Sequence, residues 1–188
     1  MYRAKLEQCL KRVQKPARYI GNEFNSIHKE WKPGMMSVAF CFPDVYEVGM
    51  SHLGMKILYH MLNEREDTVC ERVFAPWDDM EQEMRRDGIP LLSMESALPV
   101  RDFDMIAFTL QYEMSYSNIV NMLELAGVPL RTAERKREDP FVYCGGPCAY
   151  HAEPLSDLVD FFVLGEGEEV NSEIMDVYQA WRNSGRPR

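Results

Sequence analysis

The run MSVAFCFPDVYEVGMSHLGMKILYHMLN, residues 36–63, changes its periodicity halfway along. Met36 to Phe42 is almost continuously apolar, as in a parallel strand buried on both faces. Beyond it Leu53, Ile57, Leu58, Met61 and Leu62 recur every three or four residues. That stripe predicts a helix starting near Ser51, whose hydroxyl can cap it, with His52 in its first turn. A buried strand followed by an amphipathic helix is one unit of an α/β sheet.

The alternation continues outward. Val69–Phe74, Asp104–Leu110, Phe141–Cys144 and Phe161–Leu164 read as four more strands. Between the second and third lies a short charged helix, capped by Asp78 or Asp79 and closed by Gly88. Ile119, Met122, Leu123 and Ala126 mark the inner face of another, closed by Gly127. The last helix buries Val170, Ile174, Val177, Tyr178 and Trp181, and Glu166, Glu168 and Glu169 suit its positive end. Right-handed crossovers then predict an α/β fold, a flavodoxin-like doubly wound parallel sheet of five strands in the order 2-1-3-4-5. It spans residues 35–182. Residues 1–34 form an N-terminal helical arm, in which Tyr2, Leu6, Cys9, Leu10 and Val13 fall on one face of a helix stopped near Pro16. Residues 183–188 read as a linker.

Bulk properties narrow the partners. The net charge of −9 disfavours nucleic acid, because phosphate binding needs clustered positive charge. No apolar stretch approaches the ~20 residues of a membrane helix, and the N-terminus lacks the apolar core of a signal peptide. Five scattered cysteines suit a reduced, cytoplasmic chain rather than a disulfide framework.

In an open parallel sheet, ligands bind beyond the carboxyl ends of the strands. The candidate site residues follow: Asp44, Tyr46, Glu47 and Gly49 after the first strand, Thr109, Gln111 and Tyr112 after the third, Gly145, Gly146 and Pro147 after the fourth, and Gly165, Glu166 and Gly167 after the fifth. The carboxylates Asp44, Glu47, Glu113, Glu166 and Glu168 could gather at the same edge. Cys144-x-x-x-Cys148-x-x-His151 has a metal-like spacing, but Cys144 ends a buried strand, so it reads as structural and no metal site is assigned. A phosphoacceptor receiver needs an aspartate where Thr109-Leu110 stands and a lysine where Gly165-Glu166 stands, and an FMN site needs a phosphate cradle after the first strand. Neither is present.

Several motifs together carry a resemblance: FPDVYEVGMSHLGMKILYHMLN (42–63), RVFAPWDDME (72–81), TLQYEMSYSNIVNMLELAGVPLR (109–131), GGPCAYHAEPL (145–155) and LGEGEE (164–169). With them the chain resembles the N-terminal, cobalamin-binding-like region of a family of uncharacterised radical S-adenosylmethionine (SAM) proteins. The resemblance implies a front domain offering a cofactor or substrate cleft to a catalytic barrel in the same polypeptide. That barrel would hold S-adenosylmethionine and a [4Fe–4S] cluster through Cys-x-x-x-Cys-x-x-Cys, a motif absent from these 188 residues, so the chain alone is not expected to be catalytic.

Cobalamin domains with a histidine on cobalt carry Asp-x-His-x-x-Gly after the first strand; here the pattern is Asp44-x-Tyr46-x-x-Gly49. A tyrosine that loses its proton only near pKa ~10 is a poor cobalt ligand. Any cobalamin is therefore expected without a histidine on its lower face, with Gly145-Gly146 making room for its nucleotide tail and Thr109 nearby. The alternative is a cofactor-free docking or scaffolding domain, which predicts a cleft filled by Tyr46, Tyr112 and Tyr116.

Overall fold

The structure, a computed structural model, describes residues 2–188; Met1, at the start of the expected arm, lies outside the described residues. One sheet of five parallel strands runs through it: β1 (Met36–Phe42), β2 (Thr68–Phe74), β3 (Met105–Thr109), β4 (Phe141–Gly145) and β5 (Phe161–Phe162). Their order is β2-β1-β3-β4-β5, as the sequence pattern predicts. The helices are α1 (Tyr2–Leu10), α2 (Tyr46–Ser51), α3 (Leu53–Glu64), α4 (Asp78–Asp87), α5 (Tyr116–Ala126) and α6 (Glu168–Ser184).

Strand alternation divides the apolar residues between two cores. Ala39, Cys41, Ile106, Phe108, Val142 and Cys144 face Met80 and Met84 of α4 and Ile119, Met122 and Leu123 of α5. Val38, Phe40, Phe42, Met105, Ala107 and Tyr143 face Met55, Tyr59 and Leu62 of α3 and Met175 and Tyr178 of α6. Register places Phe108 between Cys41 on β1 and Cys144 on β4. Gly88 and Gly127 close α4 and α5 in the left-handed conformation, as expected.

Four local expectations are corrected. The first expected helix is α3, starting at Leu53 and capped by His52 rather than Ser51, and an unexpected short helix, α2, precedes it. Helix α4 has no side-chain cap: Asp79 instead accepts the Gln14 N–H at 2.7 Å, and Trp77 takes the N-cap position. The fifth strand ends at Phe162, because the chain turns away through Gly165 (φ 108°) and leaves Leu164 exposed. On α6, Val177 keeps the predicted stripe but is 69% exposed, since it lines an open apolar groove of about 460 Å³ with Phe161, Ile174 and Trp181.

The N-terminal arm is fastened to the sheet. Helix α1 ends at Leu10, short of Pro16, which opens a 3-10 turn. Cys9 and Val13 join the α4 core, and Arg12 pairs with Glu83 and Asp87 of α4 at 2.5 Å each. Further along, Tyr19 Oη accepts the Trp77 N–H at 3.1 Å, and Tyr59 Oη accepts the Ile27 N–H at 2.7 Å. Glu23 reaches a buried ion pair of Arg72 with Glu95. Of residues 183–188, read as a linker, Asn183 and Ser184 complete α6, while Arg188 lies over the Phe141 ring of β4 and pairs with Asp160 at 2.7 Å. No described helix is long and apolar enough to cross a membrane.

Candidate site at the strand ends

Parallel strands deliver all their carboxyl ends to one edge, so the loops after β1, β3, β4 and β5 must meet there. Between them lies a cavity of about 270 Å³. Its floor is apolar, made by Phe40, Ala107, Tyr143 and Val163 from the strands and Met55 and Leu58 from α3. Its polar rim holds Thr109, Gln111, His52, Glu166, Glu168 and Asn171. Gln111 donates to Thr109 Oγ1 at 2.5 Å, which fixes both side chains at the end of β3.

Two of the rim glycines have different causes. Gly146 lies at φ 104°, and a Cβ there would come within 2.8 Å of the Leu110 carbonyl oxygen, so the backbone itself demands glycine. At Gly145 a Cβ would sit 3.5 Å from Val163, an ordinary contact, so any larger side chain at this position extends toward the cavity.

Thr109, Gln111, Gly145, Gly146, Gly165, Glu166 and Gly167 all line this cavity. The other candidates stand elsewhere. Tyr46 Oη donates to Glu23 Oε1 at 2.7 Å, and its ring packs edge-on against Phe74. Burial and the Glu23 carboxylate push the Tyr46 phenol up to about 12, so it stays protonated. Glu47 pairs with Arg18 at 2.8 Å and Lys15 at 3.4 Å on the arm, and Gly49 is buried. Tyr112 donates to Asp44, whose acceptance of that bond, with some burial, raises the phenol to about 12. Pro147, itself exposed, opens the turn after Gly146, in which Cys148 and Ala149 are buried. The five carboxylates do not form one cluster, and none of Tyr46, Tyr112 and Tyr116 lines the cavity; Tyr116 donates to the Cys148 and His151 carbonyls.

His52 is the rim residue that the sequence reading sets aside. Its Nδ1 accepts the Met55 N–H at 3.1 Å, so it caps α3 and holds the ring at the cavity wall against Phe42. The spacing of three residues to Met55 is N-cap spacing, but histidine is not among the preferred caps, and Ser51 outweighs it in the sequence. Loss of this cap should cost about 1 kcal/mol in His52→Ala, whereas His52→Asn should retain it, as urea unfolding can measure.

Burial pushes the Cys144 thiol well up, and the Cys148 thiol is raised too, so neither is a ready thiolate. Among the described residues Cys9, Glu83 and Asp87 converge, but Arg12 already occupies that position as the cation.

The profile of the family described as radical SAM proteins, N-terminal, matches residues 54–188. An uncharacterized protein of Methanocaldococcus jannaschii, MJ0966, is 23% identical over 140 residues, 74% of this chain and 25% of that protein. The chain thus spans about a quarter of the length of the curated relative it matches.

Proposed function

The chain belongs to the family of radical SAM proteins, N-terminal, and from that premise we propose that it is the front domain of a radical SAM protein, offering its strand-end cavity as a cofactor cleft to a catalytic barrel in the same polypeptide. The observation that carries this is an open cavity with an apolar floor and a rim of hydroxyl, amide, imidazole and carboxylate groups, lined by residues at and beyond the ends of β3, β4 and β5. Such a lining suits a flat heterocycle with a few polar substituents.

Cobalamin is the cofactor we propose. About 270 Å³ fits a nucleotide-sized group rather than a whole corrin, so the tail would enter and the macrocycle would lie over the strand ends. Gly145 leaves the wall open, and Thr109 and His52 offer hydrogen bonds at the rim. Bound cobalamin would supply alkyl-transfer or radical chemistry at cobalt, and this chain would supply binding and orientation. Tyr46, protonated and donating to Glu23, is engaged by the arm, so any cobalamin would be held without it as a ligand. His52 uses Nδ1 to accept the Met55 N–H, so in the neutral ring the proton is on Nε2, a donor rather than a ligand atom.

Tyr46 also favours the second reading, a cofactor-free docking domain, since the usual ligand position serves the arm. That reading expects tyrosines in the cleft, and the three named tyrosines are outside it. Reconstitution with hydroxocobalamin, desalting and a visible spectrum separates the two. The proposal expects a retained corrinoid spectrum, weakened about tenfold in Gly145→Leu, one lost contact's worth of affinity. A colourless wild-type protein would leave the scaffolding reading standing.

A further inference from the structure

The loops that follow the five strands differ in charge from the rest of the chain. Residues 43–53, 75–79, 110–116, 145–151 and 164–169 contain eight carboxylates and none of the 21 lysines and arginines. At one corner Lys15 and Arg18 of the arm reach back to Glu47. Asp78, Glu166, Glu168 and Glu169 are exposed, and among the described residues they make no ion pair; Glu113 lies 3.9 Å from His151 and beside the Cys148 thiol, with no lysine or arginine partner among those residues. Elsewhere lysines and arginines stand among the carboxylates and pair with some of them: Glu83 and Asp87 with Arg12, Asp67 and Asp176 with Arg65, Asp160 with Arg135 and Arg188.

The same loops expose apolar side chains. Val48 and Leu53 follow β1, Trp77 follows β2, Met114 follows β3, Tyr150 follows β4 and Leu164 follows β5, with Met114 86% and Leu53 69% exposed. Isolated exposed apolar residues are ordinary on a protein surface, but one or more from every loop on a single edge marks an interaction surface.

We infer that this edge docks a protein surface carrying lysines and arginines around an apolar centre, supplied by a further domain of the same polypeptide. Charge decides the partner: unpaired carboxylates repel nucleic acid and anionic membranes and attract a basic face. The much greater length of the M. jannaschii relative makes a domain in the same chain the occupant. Docked there, it covers the mouth of the cavity, and only its basic residues offset the carboxylates left without partners. The inference rests on the strand-end edge being the working edge, and not on what fills the cavity.

Zero-length carbodiimide cross-linking of the native polypeptide, read by peptide mass spectrometry, tests it. Glu113, Glu166, Glu168 or Glu169 should link to lysines outside the 188 residues. The yield of the Glu169 links, whose carboxylate is retained, should fall about tenfold in a Glu113→Lys/Glu166→Lys/Glu168→Lys variant, and all of the links should fall at high salt, since exposed charges steer and are screened. All three side chains are exposed, so circular dichroism of that variant should match wild type. Hydrogen exchange gives a second reading: residues 110–116 and 164–169 should be protected in the native polypeptide and not in the 188-residue chain. Links confined to Glu173 beside the α6 groove, or strand-end loops equally unprotected in both, would overturn the inference. Links without cobalamin retention remove the proposed ligand alone; retention without links removes the docking alone.

Discussion

Arg72→Met should lower the unfolding free energy by about 3–5 kcal/mol, the usual cost of leaving one partner of a buried ion pair alone. Arg72 sits on β2 with 5% of its surface exposed and Glu95 with 4%. The guanidinium donates to Glu95 Oε1 at 2.6 Å and to Glu23 Oε2 at 2.7 Å, while the Arg72 N–H holds Glu95 Oε2 at 2.8 Å. Burial pushes the Glu95 carboxyl up and Arg72 opposes that, so removing the arginine leaves an acid stranded in the interior. The double variant Arg72→Met/Glu95→Leu should recover most of the loss, because replacing both partners removes the stranded charge. Urea unfolding of the single and double variants measures this; equal losses in both would contradict it. The single variant also frees Glu23, and with it the hydroxyl anchor of Tyr46. Limited proteolysis should then cut the arm between residues 15 and 29 faster.

Phe108→Ala should cost about 3–5 kcal/mol as well, by a different route. Phe108 is 2% exposed at the middle of the sheet, its neighbours across the ladder being Cys41 and Cys144. Strands on both sides and α5 above hold its surroundings, so the site cannot collapse around the missing ring, and a cavity persists. At the margin the same kind of change should matter little. Leu164→Ala, on a side chain beyond the end of β5, is expected within about 0.5 kcal/mol of wild type. Thermal unfolding of the pair checks the contrast.

The contrast between centre and margin also explains what could be read from the chain. Strands buried on both faces need near-continuous apolar runs, and Met36–Phe42 and Met105–Thr109 are such runs, so the order of the sheet follows from them and from crossover handedness. β5 is an edge strand paired on one side only, and its apolar run Phe161–Leu164 says nothing about where pairing stops. On α6 the helical period is correct for Val177, but a period cannot tell a covered stripe from an open groove.

The site was legible in its loops and obscure in its partners. Thr109, Gly145, Gly146 and Gly165 could be placed at the cavity because they follow strands. The fate of Tyr46 could not, because it depends on Glu23, in an irregular stretch with no periodicity to place it beside β2. Likewise the break at His52 comes from a cap that the apolar stripe of α3 does not show.

The most direct test of the account is the set of backbone amide shifts of the 188-residue chain during titration with hydroxocobalamin. The account predicts shifts centred on Thr109, Gly145, Gly146, Gly165 and Gly167. Shifts centred on Phe161 and Val177, or none at saturating cofactor, would contradict it.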